Sequence, residues 1–366
     1  MKVTFGNLPS VGWKDGTARL VDLAVQAEAA GFARYGVSDW KFYQDCFVVM
    51  TACLTATKTL ELESLVTEPY VRNPAVTAAA IAAMDDLSSG RAVLGIGPGV
   101  ESSSRVWTSP WGFERPHPVD AVREAVDVTR RMWRGEEVTL QGKVVRVEKA
   151  RLSFATRADI PICIAARSPR MQRLAGELAD IAHLATFYQS VPWLKGIIAN
   201  IQKGADRAGR AKGTYEIDLS MPCSLSRDRR AARQAAKRLA AIGISWAAAA
   251  DEYALKNWTR PADFDVPEDL VRAISKWNFR KQLELPQEIA DAITDDILDD
   301  FALAGDPEEC AGRILELQMK LPEITGIRIY AVPPVPGGVP GYSGYASMMD
   351  DCKTMIDIVN RGQRSN

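Results

Sequence analysis

Ser64-Leu65-Val66-Thr67-Glu68-Pro69-Tyr70-Val71-Arg72-Asn73-Pro74, then a helical stretch, then Gly90-Arg91-Ala92-Val93-Leu94-Gly95-Ile96-Gly97-Pro98-Gly99: these residues decide how the chain folds. The first segment reads as the end of a buried strand running into a polar loop. The second reads as another buried strand that ends in a glycine-rich turn. A helix joining two such strands makes a parallel crossover. Both loops then leave the sheet on one side, and in α/β barrels that side carries the chemistry.

Outward from this unit, apolar strand-like runs alternate with helical patterns. Strands are predicted at 2–6, 34–38, 60–67, 91–96, 161–165, 180–185, 215–224 and 325–331. Helices are predicted at 18–31, 46–57, 75–88, 119–134, 169–179, 191–209 and 346–361. The first of these shows helical spacing through Leu20, Leu23, Ala24, Ala27 and Ala30, and Gly31 stops it. Gln141-Gly142-Lys143, between Val138-Thr139-Leu140 and Val144-Val145-Arg146-Val147, signals a hairpin. About seventy residues of mainly helical pattern precede the last strand. Eight parallel-type strands with crossover helices favour a closed (β/α)8 TIM barrel over an open sheet. The expected organisation is α/β, one domain over 1–366, with a hairpin insertion at about 138–158 and a helical insertion at about 226–300.

Composition bounds the function. The 366 residues are 47% hydrophobic and 25% charged, with a formal net charge of −1. Such a chain builds a large core but lacks the basic field that a nucleic-acid or anionic-membrane binder needs. No apolar run approaches a bilayer span, and Met1–Gly6 reads as a strand rather than a signal peptide. Six scattered cysteines without a CxxC pair read as reduced, buried thiols, so a cytoplasmic protein is expected. With only His117 and His183, neither a multi-histidine metal site nor a Ser-His-Asp triad can be built, and no metal is expected. His183 lies in an apolar run and reads as a core residue; His117 sits between prolines in a loop.

Gly95-Ile96-Gly97-Pro98-Gly99 fails as a dinucleotide fingerprint. Val100 stands at the third glycine position, the motif follows the fourth strand, and a long loop comes next. Glycines here instead let the backbone approach a flat ligand. Ile164-Ala165-Ala166-Arg167-Ser168-Pro169-Arg170-Met171 ends a strand and starts a helix. Two readings stand: a phosphate site on free helix amides, or a helix start capped by Ser168. The basic run 227–233 reads as a solvated helix start. The aromatics Trp246, Tyr253, Trp258, Phe264, Trp277 and Phe279 serve either as packing or as an apolar substrate wall. Pro333-Pro334-Val335-Pro336-Gly337-Gly338 reads as an irregular loop.

Val66–Ala78, Ser88–Gly99 and Leu174–Asp180 together resemble the bacterial-luciferase-like superfamily, in particular its coenzyme F420 branch, that of methylenetetrahydromethanopterin reductase. The resemblance covers residues 2 to about 210, then Gly305–Ala311 to the last strand. It implies a barrel whose mouth binds the deazaflavin ring, and a homodimer of such barrels. A bulge with a non-proline cis peptide, mapped onto Ser64-Leu65, would support the ring. Asp39 matches the acidic residue ending the second strand, Thr67 falls at the end of the third, and Gly97, Pro98 and Gly99 match the loop beside the ring. Ala165, Ala166, Arg167 and Ser168 match the phosphate turn, and Thr186 the end of the sixth strand. Trp40 stands where many relatives carry histidine, Glu68 where reductases carry asparagine, and Asn7 lies near an expected carboxylate.

The expected activity is hydride transfer between coenzyme F420 and a small organic substrate. Asp39 would orient the ring or a proton relay, and Glu68 and Glu101 would move protons. The alternatives are an FMN-dependent monooxygenase on the same barrel and a barrel that binds a flavin or deazaflavin without catalysis.

Overall fold

A computed structural model of the chain describes residues 1–6, 16–40, 43–99, 115–248, 260–277, 284–334 and 343–364. In chain order the elements are β1 (Lys2–Gly6), α1 (Gly16–Ala29), β2 (Arg34–Val37), α2 (Cys46–Ala56), β3 (Glu61–Ser64), α3 (Pro74–Leu87) and β4 (Ala92–Ile96). There follow α4 (Pro118–Trp133), the pair β5 (Val138–Gln141) and β6 (Arg146–Ala150), β7 (Ile162–Ala165), α5 (Pro169–Leu178), β8 (Ile181–Leu184) and α6 (Val191–Arg207). The last third holds β9 (Glu216–Leu225), α7 (Arg229–Ala248), α8 (Glu268–Lys276), α9 (Gln287–Ala292), α10 (Asp295–Asp299), β10 (Leu303–Gly305), α11 (Pro307–Lys320), β11 (Gly326–Ala331) and α12 (Ser343–Arg364). All eight expected strands form, and β10 is an addition that three residues of sequence could not announce.

The chain divides into two compact units, 34–184 with 199–217, and 1–33 with 185–198 and 218–366. In the first, five parallel strands run in the order β2, β3, β4, β7, β8. β4 is buried at every position, as a strand covered on both faces must be. The crossover helices start on a shared device. Asn73 accepts from the Ala75 amide at 2.9 Å ahead of Pro74, and Ser168 accepts from the Met171 amide at 3.3 Å ahead of Pro169. A capping oxygen followed by proline at the first helical position satisfies an orphan amide and presets φ. Trp133 then pins α4 to α3, its indole donating to the Ala78 carbonyl at 3.0 Å. At the opposite end of these strands Arg34, 1% exposed, sits among Glu61 (2.9 Å), Glu216 (3.5 Å) and Glu63 (3.7 Å).

The β5–β6 hairpin forms as expected, with its turn one residue later than read, closed by the Gly142 amide on the Val145 carbonyl. Glu124 of α4 accepts from the amides of Lys143 (2.8 Å), Val144 (3.0 Å) and Val145 (2.9 Å). Burial would raise this carboxyl, but the three amides outweigh it and hold it below its ordinary 4.5. The group's contribution to stability is therefore complete above about pH 4.5 and is lost as pH falls through the lower folded value. Glu124→Ala should cost about 1–2 kcal/mol in urea unfolding. It should also speed amide exchange at Lys143, Val144 and Val145, and unchanged exchange there would refute the clamp.

In the second unit the strand order is β10, β9, β11, β1, again parallel. Phe5 packs on Phe32 and on Tyr345, whose hydroxyl donates to the Ala331 carbonyl at 3.1 Å. The basic run is not a solvated face throughout. Arg227 and Arg229 pair with Glu308 and Glu309, while Arg233 is buried between Asp295 and Asp299. The late aromatics among the described residues pack against their own unit. Trp246 lies 4.9 Å from Phe187, Phe264 packs on Tyr188 and Phe301, and Trp277 is buried. Tyr253, Trp258, Phe279 and Val335–Gly338 lie outside the described residues. All six cysteines are free and buried, and burial pushes the Cys53 and Cys310 thiols up to about 12. No helix among the described residues is long and apolar enough to cross a membrane.

Candidate active site

The C-terminal ends of β2, β3 and β4 are laced together on one edge of the five-stranded sheet. The Leu65 amide donates to the Val37 carbonyl at 2.7 Å, the Thr67 amide to Gly95 at 2.9 Å, and the Gly97 amide to Thr67 at 2.9 Å. The non-proline cis peptide is present, but at Leu65-Val66 rather than at Ser64-Leu65. The reason for the shift is that Ser64 still belongs to the ladder, in register with Val37. Its hydroxyl donates to the Gly95 carbonyl at 2.8 Å and accepts from the Gly95 amide at 3.0 Å. Fully buried and engaged both ways, Ser64 supports the site and offers no hydroxyl to a ligand.

Two features beside this lacing suit a flat ligand with a polar edge. Thr67 is 1% exposed, yet its hydroxyl has no hydrogen-bond partner among the described residues. An unmet buried hydroxyl costs roughly 1–3 kcal/mol, which a ligand acceptor would remove. At Gly97 a Cβ would stand 3.0 Å from Val66 Cγ2 and 3.5 Å from the Ala165 methyl, so the bare backbone keeps this floor low. Pro98 and Gly99, both half-buried, continue the turn.

Beyond β7, the Ala166 amide is spent on the His183 carbonyl at 2.9 Å. The Arg167 carbonyl accepts from Gln172 at 2.9 Å. Ser168 is the N-cap of α5, its hydroxyl oxygen accepting the Met171 amide. Asp39 is half-buried two residues past β2, and Trp40 meets Tyr43 edge-on at 6.1 Å. Thr186 belongs to the other unit, where its hydroxyl oxygen accepts from the Tyr188 amide at 3.2 Å. Glu101 and Asn7 lie outside the described residues. His117 is exposed, with a left-handed φ of 51° at the start of α4. No cluster of His, Cys, Asp and Glu among the described residues could hold a metal ion.

Glu68 is placed differently from the expected proton carrier. It is 4% exposed and accepts from the amides of Tyr70 (2.7 Å) and Val71 (3.2 Å), with Arg115 at 3.8 Å. Its two oxygens accept these amides, so it clamps its own loop. Sequence reasoning missed Arg115 and Tyr70. Tyr70 donates to the Pro116 carbonyl at 2.9 Å, and burial pushes its phenol well above 10.

Parallel strands with crossover helices and with their polar and glycine turns on one edge define an α/β protein of the (β/α)8 TIM-barrel class. The profile of the luciferase-like monooxygenase family matches residues 4–321, and the chain belongs to that family. It is 28% identical over 308 residues to a 5,10-methylenetetrahydromethanopterin reductase of Methanolobus tindarius, covering 83% of this chain and 87% of that protein. Among solved structures, the coenzyme F420-dependent tetrahydromethanopterin reductase of Methanopyrus kandleri superposes with a TM-score of 0.75 at 23% identity, over 96% of this chain and 98% of that one. An F420-dependent secondary alcohol dehydrogenase, in complex with an F420-acetone adduct, gives a TM-score of 0.70 at 22% identity, over 98% and 99%.

Proposed function

We propose that this protein is a coenzyme F420-dependent oxidoreductase that acts on a small organic substrate. The observation that carries the reading is the buried, unpartnered Thr67 hydroxyl beside the bare Gly97 backbone, in a chain whose relatives include F420-dependent enzymes. The residues fit the group: Thr67 would donate to an acceptor on the ring edge, and Gly97–Gly99 would let the ring lie against backbone. Ala165–Ser168 would carry its phosphate. When bound, the deazaflavin supplies hydride chemistry at a ring carbon.

The side chains then position and exclude. Asp39 would orient the ring or hold a proton, and Trp40 would wall off water where an imidazole would otherwise donate. Glu101 would be the second proton carrier, because Glu68 is committed to its loop. The family match over residues 4–321 supports reading the chain as one domain. Family resemblance supports a homodimer, and the buried free thiols support a cytoplasmic protein.

The test is a titration of wild type and Thr67→Val with F420 and, separately, with FMN. Wild type should bind F420, and Thr67→Val should weaken binding about tenfold. The melting temperature of the variant should hold or rise, because the orphaned hydroxyl is gone. Tight FMN binding with no F420 binding would instead support the monooxygenase reading.

A further inference from the structure

Three segments meet at one buried guanidinium. Arg115 is 8% exposed at its side chain and lies 3.8 Å from Glu68, with its guanidinium carbon 5.8 Å from the Tyr70 ring centre. On its other side it lies flush against the turn after β4: a Cβ on Gly99 would fall 1.9 Å from Nη1 and 2.8 Å from Cζ. The next residue, Pro116, receives the Tyr70 hydroxyl. Glu68 and Tyr70 belong to the loop that begins at Thr67, and Gly99 to the turn that begins at Gly97. One side chain thus touches both walls of the ring-binding floor.

Its chemistry suits that position. A planar guanidinium can meet a carboxylate at its edge, an aromatic ring, and a glycine backbone at its face; an ammonium cannot do all three. The Nε donor has no hydrogen-bond partner among the described residues, so satisfying every donor there is not what places Arg115. Gly99, at φ 68°, leaves room for the plane where any side chain would displace it.

We propose that Arg115 is a positioning residue for the cofactor: without touching the ring, it sets the spacing between the Thr67 loop and the Gly97-Pro98-Gly99 turn. The inference rests on the deazaflavin reading above. It deepens that reading by making affinity depend on the guanidinium plane and not on its charge alone.

The experiment compares F420 affinity, read from the cofactor's fluorescence, with thermal stability for wild type, Arg115→Gln, Arg115→Lys, Glu68→Gln and Arg115→Gln combined with Glu68→Gln. Arg115→Gln should weaken affinity at least about tenfold, with the melting temperature held within about 2 °C. Arg115→Lys should recover only part of the loss. Adding Glu68→Gln should cost less than it does alone, because the two residues act as one unit. Wild-type affinity in Arg115→Gln overturns the proposal. Should that variant not fold, wild-type affinity in Arg115→Lys overturns it equally. A wild type that binds no F420 sinks the deazaflavin reading itself, a result distinct from bound wild type with unaltered variants.

Discussion

Gly95→Ala is expected to abolish cofactor binding and to leave little folded protein. The new methyl would stand 1.8 Å from the Ser64 carbonyl oxygen, with Ser64 C and Glu63 Oε1 each at 3.0 Å. The obstacle is backbone, so no rotamer change relieves it. Moving Ser64 would break both hydroxyl bonds to residue 95 and shift Leu65, whose amide is tied to Val37. The disturbance passes directly into the segment that carries Thr67. Overpacking of this kind costs upward of about 3 kcal/mol. Gly312→Ala is the control. That glycine is inside α11 with open space around it, and alanine there should add about 0.5–1 kcal/mol. Urea unfolding of both variants decides the matter. A Gly95→Ala protein as stable as wild type would mean that β3 and β4 do not approach as described.

Asp218→Ala should be the most damaging single change in the other unit. Asp218 and Arg328 are 1% and 0% exposed, and both Arg328 Nη2 (2.5 Å) and Nε (2.8 Å) donate to Asp218 Oδ2. Removing the carboxylate leaves a charged guanidinium deep in the core, at a cost of about 3–5 kcal/mol. Replacing both partners, as in Asp218→Leu with Arg328→Met, should cost far less, because no charge is then stranded. The comparison by urea unfolding is diagnostic. If the single variant proves as mild as the double, the pair is not the buried unit described.

Much of this architecture was legible in the chain. Asn73-Pro74 and Ser168-Pro169 announce helix starts because capping and proline act within one turn, and both helices begin there. The glycine turn at 97–99 was legible as a place of close approach, since only the missing Cβ permits it. Short-range signals ran out at β10, and at the cis peptide, which fell one residue beyond its expected place. They also could not show the surroundings of Glu68, which looks like any loop acid in the sequence. Its role depends on the fold of residues 68–71, which turns two amides onto it, and on the distant Arg115.

The amino-acid order alone determined the alternation of strand and helix, the family, and which loops share an edge, because apolar period and turn chemistry are written in neighbouring residues. Tertiary structure decided which side chains are spent on the scaffold and which stay unpaired. Ser64 is consumed by Gly95, Thr67 keeps a hydroxyl unpaired among the described residues, and Arg115 joins the loop that begins at Thr67 to the turn after β4. Hydrogen-bond satisfaction and contact across the sheet edge are properties of space, and no local pattern encodes them.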